Sequence, residues 1–187
     1  KITPITEACI RIRFSKTAGT KEKSVFPEKE PQSSLKWTAK ESPSAIEVAT
    51  KQVIIRIEKR DGALKFMTPD RKLLLAETTN GCRYLDAGKT WNFFEFERSE
   101  RLKSKGPLKD DFSDVTNKAR YISHGGRKLR MPMILSNKGY ALEINAPETV
   151  LFCGIKNFGQ YIYTEGSEQI DYYFSRTGDG SMSVLFH

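Results

Sequence analysis

No uninterrupted apolar run in this 187-residue chain approaches the roughly 20 residues that a membrane-spanning helix requires. A membrane is therefore not expected as a partner. Histidine is nearly missing: His124 stands before Gly125 and Gly126, and His187 is the last residue. With so few imidazoles and no Cys/His spacing, no metal and no cofactor are expected. Cys9, Cys82 and Cys153 are odd in number and far apart, which argues against a disulfide framework. Cys9 and Cys153 lie in apolar contexts that suit buried small hydrophobes. An amphipathic helix of useful length is also lacking. Nothing resembles a leader, and the first residue is Lys1 rather than Met. The chain thus reads as an excised or processed piece, and the missing leader carries no information about its parent.

Charge is plentiful but undirected. Lys and Arg number 31 against 23 Asp and Glu, a formal net charge of +8. Such a balance favours nucleic acid only when the cations cluster or accompany a binding motif. Here they are spread over nearly every segment, without zinc spacing, a helix-turn-helix signature or a single-strand-binding sheet motif. A solvated, mildly basic surface is expected, with no nucleic-acid partner. The length suits one domain with a sizeable core, taken as a single unit over residues 1–187.

Strand patterning dominates what is present. Ile10, Ile12 and Phe14 alternate with Arg11 and Arg13, putting apolar and charged side chains on opposite faces. Val53, Ile55 and Ile57 repeat the pattern, and Leu64 and Phe66 continue it beyond a turn at Asp61-Gly62. Pro69-Asp70 marks another turn before Leu73-Leu-Leu75. Downstream, Phe94 and Phe96 flank Glu95, and Met131, Met133 and Leu135 alternate up to Ser136-Asn-Lys-Gly139. Tyr140, Leu142 and Ile144 follow, then the apolar run 150–153 and a hairpin about Gly166-Ser167 joining Tyr161 and Tyr163 to Ile170, Tyr172 and Phe174. A last strand is expected over 182–186. Many short strands at close spacing predict an all-β, two-sheet antiparallel sandwich. Its inner faces should hold Ile12, Val53, Ile55, Leu142, Ile144 and Phe174. Residues 16–44 and 98–127 interrupt the rhythm with Lys, Glu, Ser and Pro, and read as two long, mobile surface loops.

Taken in order, several segments resemble the N-terminal β-sandwich of glycoside hydrolase family 31, the α-glucosidase-type enzymes. Ile10-Arg-Ile-Arg-Phe-Ser15 matches the family's opening strand, and the stretch 48–66 matches the region after it. The family's Asp-Gly-Lys-hydrophobic-Leu turn is answered by Asp70-Arg-Lys-Leu-Leu74, with Arg71 where glycine is usual. Residues 132–140 resemble a proline-hydrophobic-Ser-Gly-Tyr segment, and 163–174 resemble a Tyr…Gly…Asp-Tyr-Phe segment. One departure follows Phe96: a Tyr-Gly-Leu-Gly-like turn is replaced by Arg98-Ser-Glu-Arg-Leu-Lys-Ser-Lys-Gly106.

The resemblance implies a galactose mutarotase-like sandwich without catalytic residues. It would pack on a downstream (β/α)8 barrel of the same parent chain and help to shape a pocket for an α-linked oligosaccharide. Retaining glycoside hydrolysis needs two carboxyl groups about 5–5.5 Å apart, which that family supplies from the barrel; no such pair is assigned in this chain. An acidic residue of the 98–127 segment can reach substrate in related enzymes, which points to Asp114 first and Asp111 second. For both, as for Asp110, a solvated loop or turn acid is the favoured reading. Trp37 and Trp91 are candidates for stacking on sugar rings, although a tryptophan opening a strand, as Trp91 does, also suits a core. Tyrosines 161, 163, 172 and 173 fit half-buried sheet positions better than a stacking platform. Ser136 lacks a nucleophile-elbow pattern and a histidine partner, and reads as a turn residue. The competing expectation is an independent carbohydrate-binding module using the same aromatics, and a weaker one is a plain protein-interaction sandwich.

Overall fold

A computed structural model describes residues 1–17, 26–106, 112–125 and 130–178. Among these residues there are 17 strands and no helix. In chain order the first six are β1 (Ile2–Pro4), β2 (Cys9–Ser15), β3 (Thr38–Glu41), β4 (Ala45–Ala49), β5 (Ile54–Glu58) and β6 (Leu64–Met67). Next come β7 (Leu73–Glu77), β8 (Arg83–Asp86), β9 (Lys89–Glu95), β10 (Leu102–Lys105), β11 (Ser113–Asp114) and β12 (Ala119–Ser123). The last five are β13 (Met133–Ser136), β14 (Tyr140–Ile144), β15 (Val150–Ile155), β16 (Gly159–Glu165) and β17 (Gln169–Arg176). One sheet has seven strands in the order β1-β2-β17-β14-β13-β10-β11. The other has ten, with the path β12-β15-β16-β9-β7-β6-β5-β4-β3 and β8 paired to β9. The pairings within both sheets are antiparallel, as the alternating sequence pattern requires.

The sheets meet over one apolar core. All six side chains expected there are buried, none more than 3% exposed. Phe66 of the ten-stranded sheet stacks on Phe174 of the seven-stranded one at 4.3 Å between ring centroids. Phe94 meets Tyr172 edge-on across the same gap at 6.1 Å. Each such side chain contributes about 1.5–3 kcal/mol by leaving water. Phe14, at the end of the first alternating run, is 38% exposed and lies under the Arg83 guanidinium.

The turns form as their residues dictate, with one exchange of chemistry. Gly166 has φ +76°, and a Cβ there would sit 2.8 Å from Glu148 Cγ, so only glycine fits. Arg71 takes the position where the resemblance expects glycine and keeps the left-handed backbone, φ 67°. That conformation costs a non-glycine residue roughly 1–2 kcal/mol. Arg71 offsets part of it by donating two hydrogen bonds to Glu47, at 3.0 and 2.9 Å.

Both polar segments expected as loops contain regular structure. Residues 38–41 form β3, the edge of the ten-stranded sheet. Residues 26–35 run over the outer face of the seven-stranded sheet: Gln32 N donates to Ile5 O at 2.9 Å and Lys29 N to the Tyr173 hydroxyl at 3.2 Å. Ile5, Cys9 and Tyr173 form a second small apolar cluster there, with Met131 against it. The 98–127 segment holds β10, β11 and β12, and residues 115–118 pass from one sheet to the other: Val115 N bonds Leu102 O while Lys118 O accepts from Gly154 N. β11 and β12 lie at sheet edges and β10 next to one, and the charged residues Lys103, Asp114 and Arg120 on them erase the apolar alternation. The strand expected over 182–186 lies outside the described residues.

Candidate functional site

Strand pairing brings together a set of aromatic side chains that is dispersed in sequence. On the outer face of the ten-stranded sheet, Tyr84, Trp91, Tyr163, Leu151 and Tyr121 stand opposite one another on β8, β9, β16, β15 and β12. Phe93 and Tyr161 pair in the next row. Neighbouring rings touch at an angle: Tyr84–Trp91 at 5.3 Å and 53°, Trp91–Tyr163 at 4.9 Å and 47°, Phe93–Tyr161 at 5.5 Å and 58°. The row's ends are open, Tyr84 being 56% and Tyr121 59% exposed. The Tyr163 hydroxyl donates to Glu165 Oε1 at 2.6 Å; burial and that carboxylate push its pKa up to about 12.

The pattern within these strands is inverted. Trp91 and Phe93 of β9 and Tyr161 and Tyr163 of β16 point outward, while Thr90, Asn92 and Thr164 are buried between the sheets, beside the core residues Phe94 and Ile162. Those polar groups need partners inside: Thr90 Oγ1 and Thr164 Oγ1 are 2.7 Å apart, and Asn92 Nδ2 donates to Glu77 at 2.8 Å. The other half of the same face is conventional. Arg56 bonds Glu47 and Glu58, Lys65 pairs with Glu58 at 2.9 Å, and Arg71 clamps Glu47.

The sequence-derived candidates fall in separate places. Trp91 lies in the aromatic row, half-buried by Tyr84 and Tyr163 rather than in the core. Trp37 is 52% exposed just before β3, five strand steps from β9 or about 24 Å away. Asp114 is on β11, the edge of the seven-stranded sheet. Its carboxylate accepts from Thr116 N at 3.0 Å and pairs with Lys118 at 3.2 Å. The Thr116 bonds, with help from Lys118, hold its pKa down to about 2. Asp111 lies outside the described residues. Tyr161 and Tyr163 are half-buried as expected, whereas Tyr172 and Tyr173 are buried completely, 2% and 0% exposed.

Buried carboxylates are engaged in holding the fold. Glu77 accepts from Arg83, Asn92 and Leu64 N. Asp171 takes a two-bond grip from Arg11, at 2.9 and 2.6 Å, and a third bond from Asn145 at 2.7 Å. Glu100 accepts from Ser136 Oγ and the Tyr140 hydroxyl, so Ser136 serves its turn by also accepting from Lys138 N. Among the described residues no group of three His, Cys, Asp or Glu could hold a metal ion. An open cleft of about 520 Å³ lies where β9 runs into the 98–106 segment, lined by Phe94, Glu95, Phe96, Arg98, Lys156 and Gln160. Sequence reasoning missed Tyr84, Tyr121 and this cleft, because their neighbours come from distant hairpins; only the in-out inversion at Thr90-Trp-Asn-Phe93 was there to be read.

No protein-family model matches the chain, and no curated protein matches it in sequence. Its fold is nevertheless that of a part of solved GH31 enzymes. A GH31 dextranase of Flavobacterium johnsoniae complexed with isomaltotriose superposes with a TM-score of 0.80 at 19% identity, covering 95% of this chain and 23% of that one. A GH31 α-xylosidase from a soil metagenome, complexed with xylose, gives 0.76 at 18% identity over 95% of this chain and 30% of its own. The cycloalternan-forming enzyme of Listeria monocytogenes, with a pentasaccharide substrate, gives 0.74 at 16% identity over 94% and 18%. The chain thus spans less than a third of the length of these structures. At such identities the likeness establishes a common fold.

Proposed function

We propose that this chain is the non-catalytic accessory sandwich of a GH31-type glycoside hydrolase. In this reading it packs on a (β/α)8 barrel of the same parent chain and helps to form the pocket for an α-linked oligosaccharide. The observation that carries the reading is the TM-score of 0.80 over 95% of the chain against under a quarter of a dextranase. The order of sequence segments that resemble family 31 supports it independently. The described carboxylates support the non-catalytic role, since the buried ones are saturated by structural donors. Residues 1–187 would act as one unit, with the 98–127 segment and Asp114 nearest the sugar and neither membrane nor nucleic acid as partner. The test is hydrolysis of a nitrophenyl α-glucoside. The parent chain should turn it over and the 187-residue chain should not; robust hydrolysis by the latter would overturn the assignment.

A second reading, an independent carbohydrate-binding module, draws support from the exposed Trp37 and the aromatic row. It requires saturable binding of an oligosaccharide to the chain alone, weakened by Trp37→Ala or Trp91→Ala. Calorimetry with isomaltotriose that shows no heat of binding counts against it.

A further inference from the structure

On the aromatic half of the ten-stranded sheet, the outward rings Trp91, Phe93, Tyr161 and Tyr163 lie outside the apolar core. Placing Trp91, Phe93, Tyr161 and Tyr163 outward forces Thr90, Asn92 and Thr164 inward. Buried polar groups cost free energy unless fully bonded, and Asn92 Oδ1 is left without a partner. A sandwich shaped only for its own core would have the opposite pattern. The charged half of the same face, laced by Glu47, Arg56, Glu58 and Lys65, shows what this chain puts where water is the neighbour.

We propose that the row Tyr84, Trp91, Tyr163, Leu151, Tyr121 is the surface on which the catalytic remainder of the parent chain docks; this rests on the accessory-domain reading above. Three features select a protein occupant over a glycan. The touching rings of the row, Tyr84, Trp91 and Tyr163, are tilted against each other by 47–53°, so they share no plane on which successive sugar rings could lie. The row contains no charged side chain, whereas Asp86, Lys89 and Glu165 gather in the adjoining row, the neutral centre and polar rim of a protein interface. From β8 to β12 the row crosses four strand spacings, about 19 Å, which gives a patch on the order of 300 Å². That is far below the roughly 800 Å² per partner of a stable complex between free proteins. Counted over both partners it comes to about 600 Å², the lower end of contacts between domains of one chain, where tethering supplies a high effective concentration.

The test is hydroxyl-radical labelling of Tyr84 and Tyr121 in the parent chain and in the 187-residue chain. Docking predicts that both tyrosines lose labelling several-fold in the parent, and that Tyr121→Glu in the parent restores it at Tyr84. Equal labelling in the two proteins overturns the proposal. Protection of the two tyrosines by isomaltotriose in the 187-residue chain also overturns it, because the face then serves a glycan. Hydrolysis measured on the same samples separates the two claims. An active parent with labelled tyrosines sinks docking alone; an inactive parent with protected tyrosines sinks the enzyme reading alone.

Discussion

The outer faces of the two sheets are finished in different ways. On the seven-stranded sheet the chain covers itself: residues 26–35 lie over β2, β17 and β14, shielding Arg11, Asp171 and Tyr173 to between 0% and 4% exposure. Charge is permitted there because each group is bonded, Arg11 to both Asp171 and Glu28, with its guanidinium 5.2 Å from the Tyr173 ring. On the aromatic half of the ten-stranded sheet the central row is uncharged, and the described residues leave Tyr84 and Tyr121 more than half exposed. A covered charged face and an open aromatic face invert what a free-standing sandwich would do. The contrast indicates that the first is internal structure and the second belongs to an interface.

Breaking the covered face should cost most. Asp171→Ala leaves the buried Arg11 with only the half-exposed Glu28, and loss of one member of a buried pair costs about 3–5 kcal/mol. Urea unfolding should show it as a large fall in the midpoint; a change of a few tenths would mean that the pair is solvated and the cover loose. Tyr173→Phe deletes the acceptor for Lys29 N but keeps the ring, so about 1 kcal/mol should go. An unaltered midpoint would show that residues 26–35 are not held by this bond.

Acid sharpens the comparison within the ten-stranded sheet. Arg71 and Lys65 hold the Glu47 and Glu58 carboxyls below their ordinary value of 4.5. A depressed folded-state value adds stability that is present above 4.5 and lost as pH falls through the lower value. Below pH 4.5 the wild-type chain should therefore lose stability faster than a Glu47→Gln, Glu58→Gln double variant. Parallel curves would show that the ladder is electrostatically idle. The smallest effect belongs to the open aromatics: Tyr84→Ser and Tyr121→Ser should each move stability by no more than about 0.5 kcal/mol. A loss several times larger would make these residues part of the fold's own support.

Local periodicity made the core legible. Alternation at Ile10 and Ile12, at Val53 and Ile55, and at Leu142 and Ile144 reported one buried face for each strand, and the structure buries all of these side chains. The cover over the seven-stranded sheet could not be read in the same way. Its residues are polar, and Lys29 meets Tyr173 from 144 positions away, so no local pattern records the contact. Strands β10 to β12 were hidden by charge at sheet borders. The fate of Asp114 turned on local hydrogen bonding to Thr116, which residue type alone does not reveal. Trp91 was noticed for its chemistry, but its neighbours Tyr84, Tyr163 and Tyr121 converge only through strand order.

The difference between the two faces can be measured directly by hydroxyl-radical labelling of the 187-residue chain alone, comparing Tyr84 and Tyr121 with Tyr173. Tyr84 and Tyr121, more than half exposed, should react many times faster than Tyr173, which is fully buried beneath residues 26–35. Comparable rates for all three tyrosines would contradict the distinction between a face the chain covers itself and a face left open for a partner.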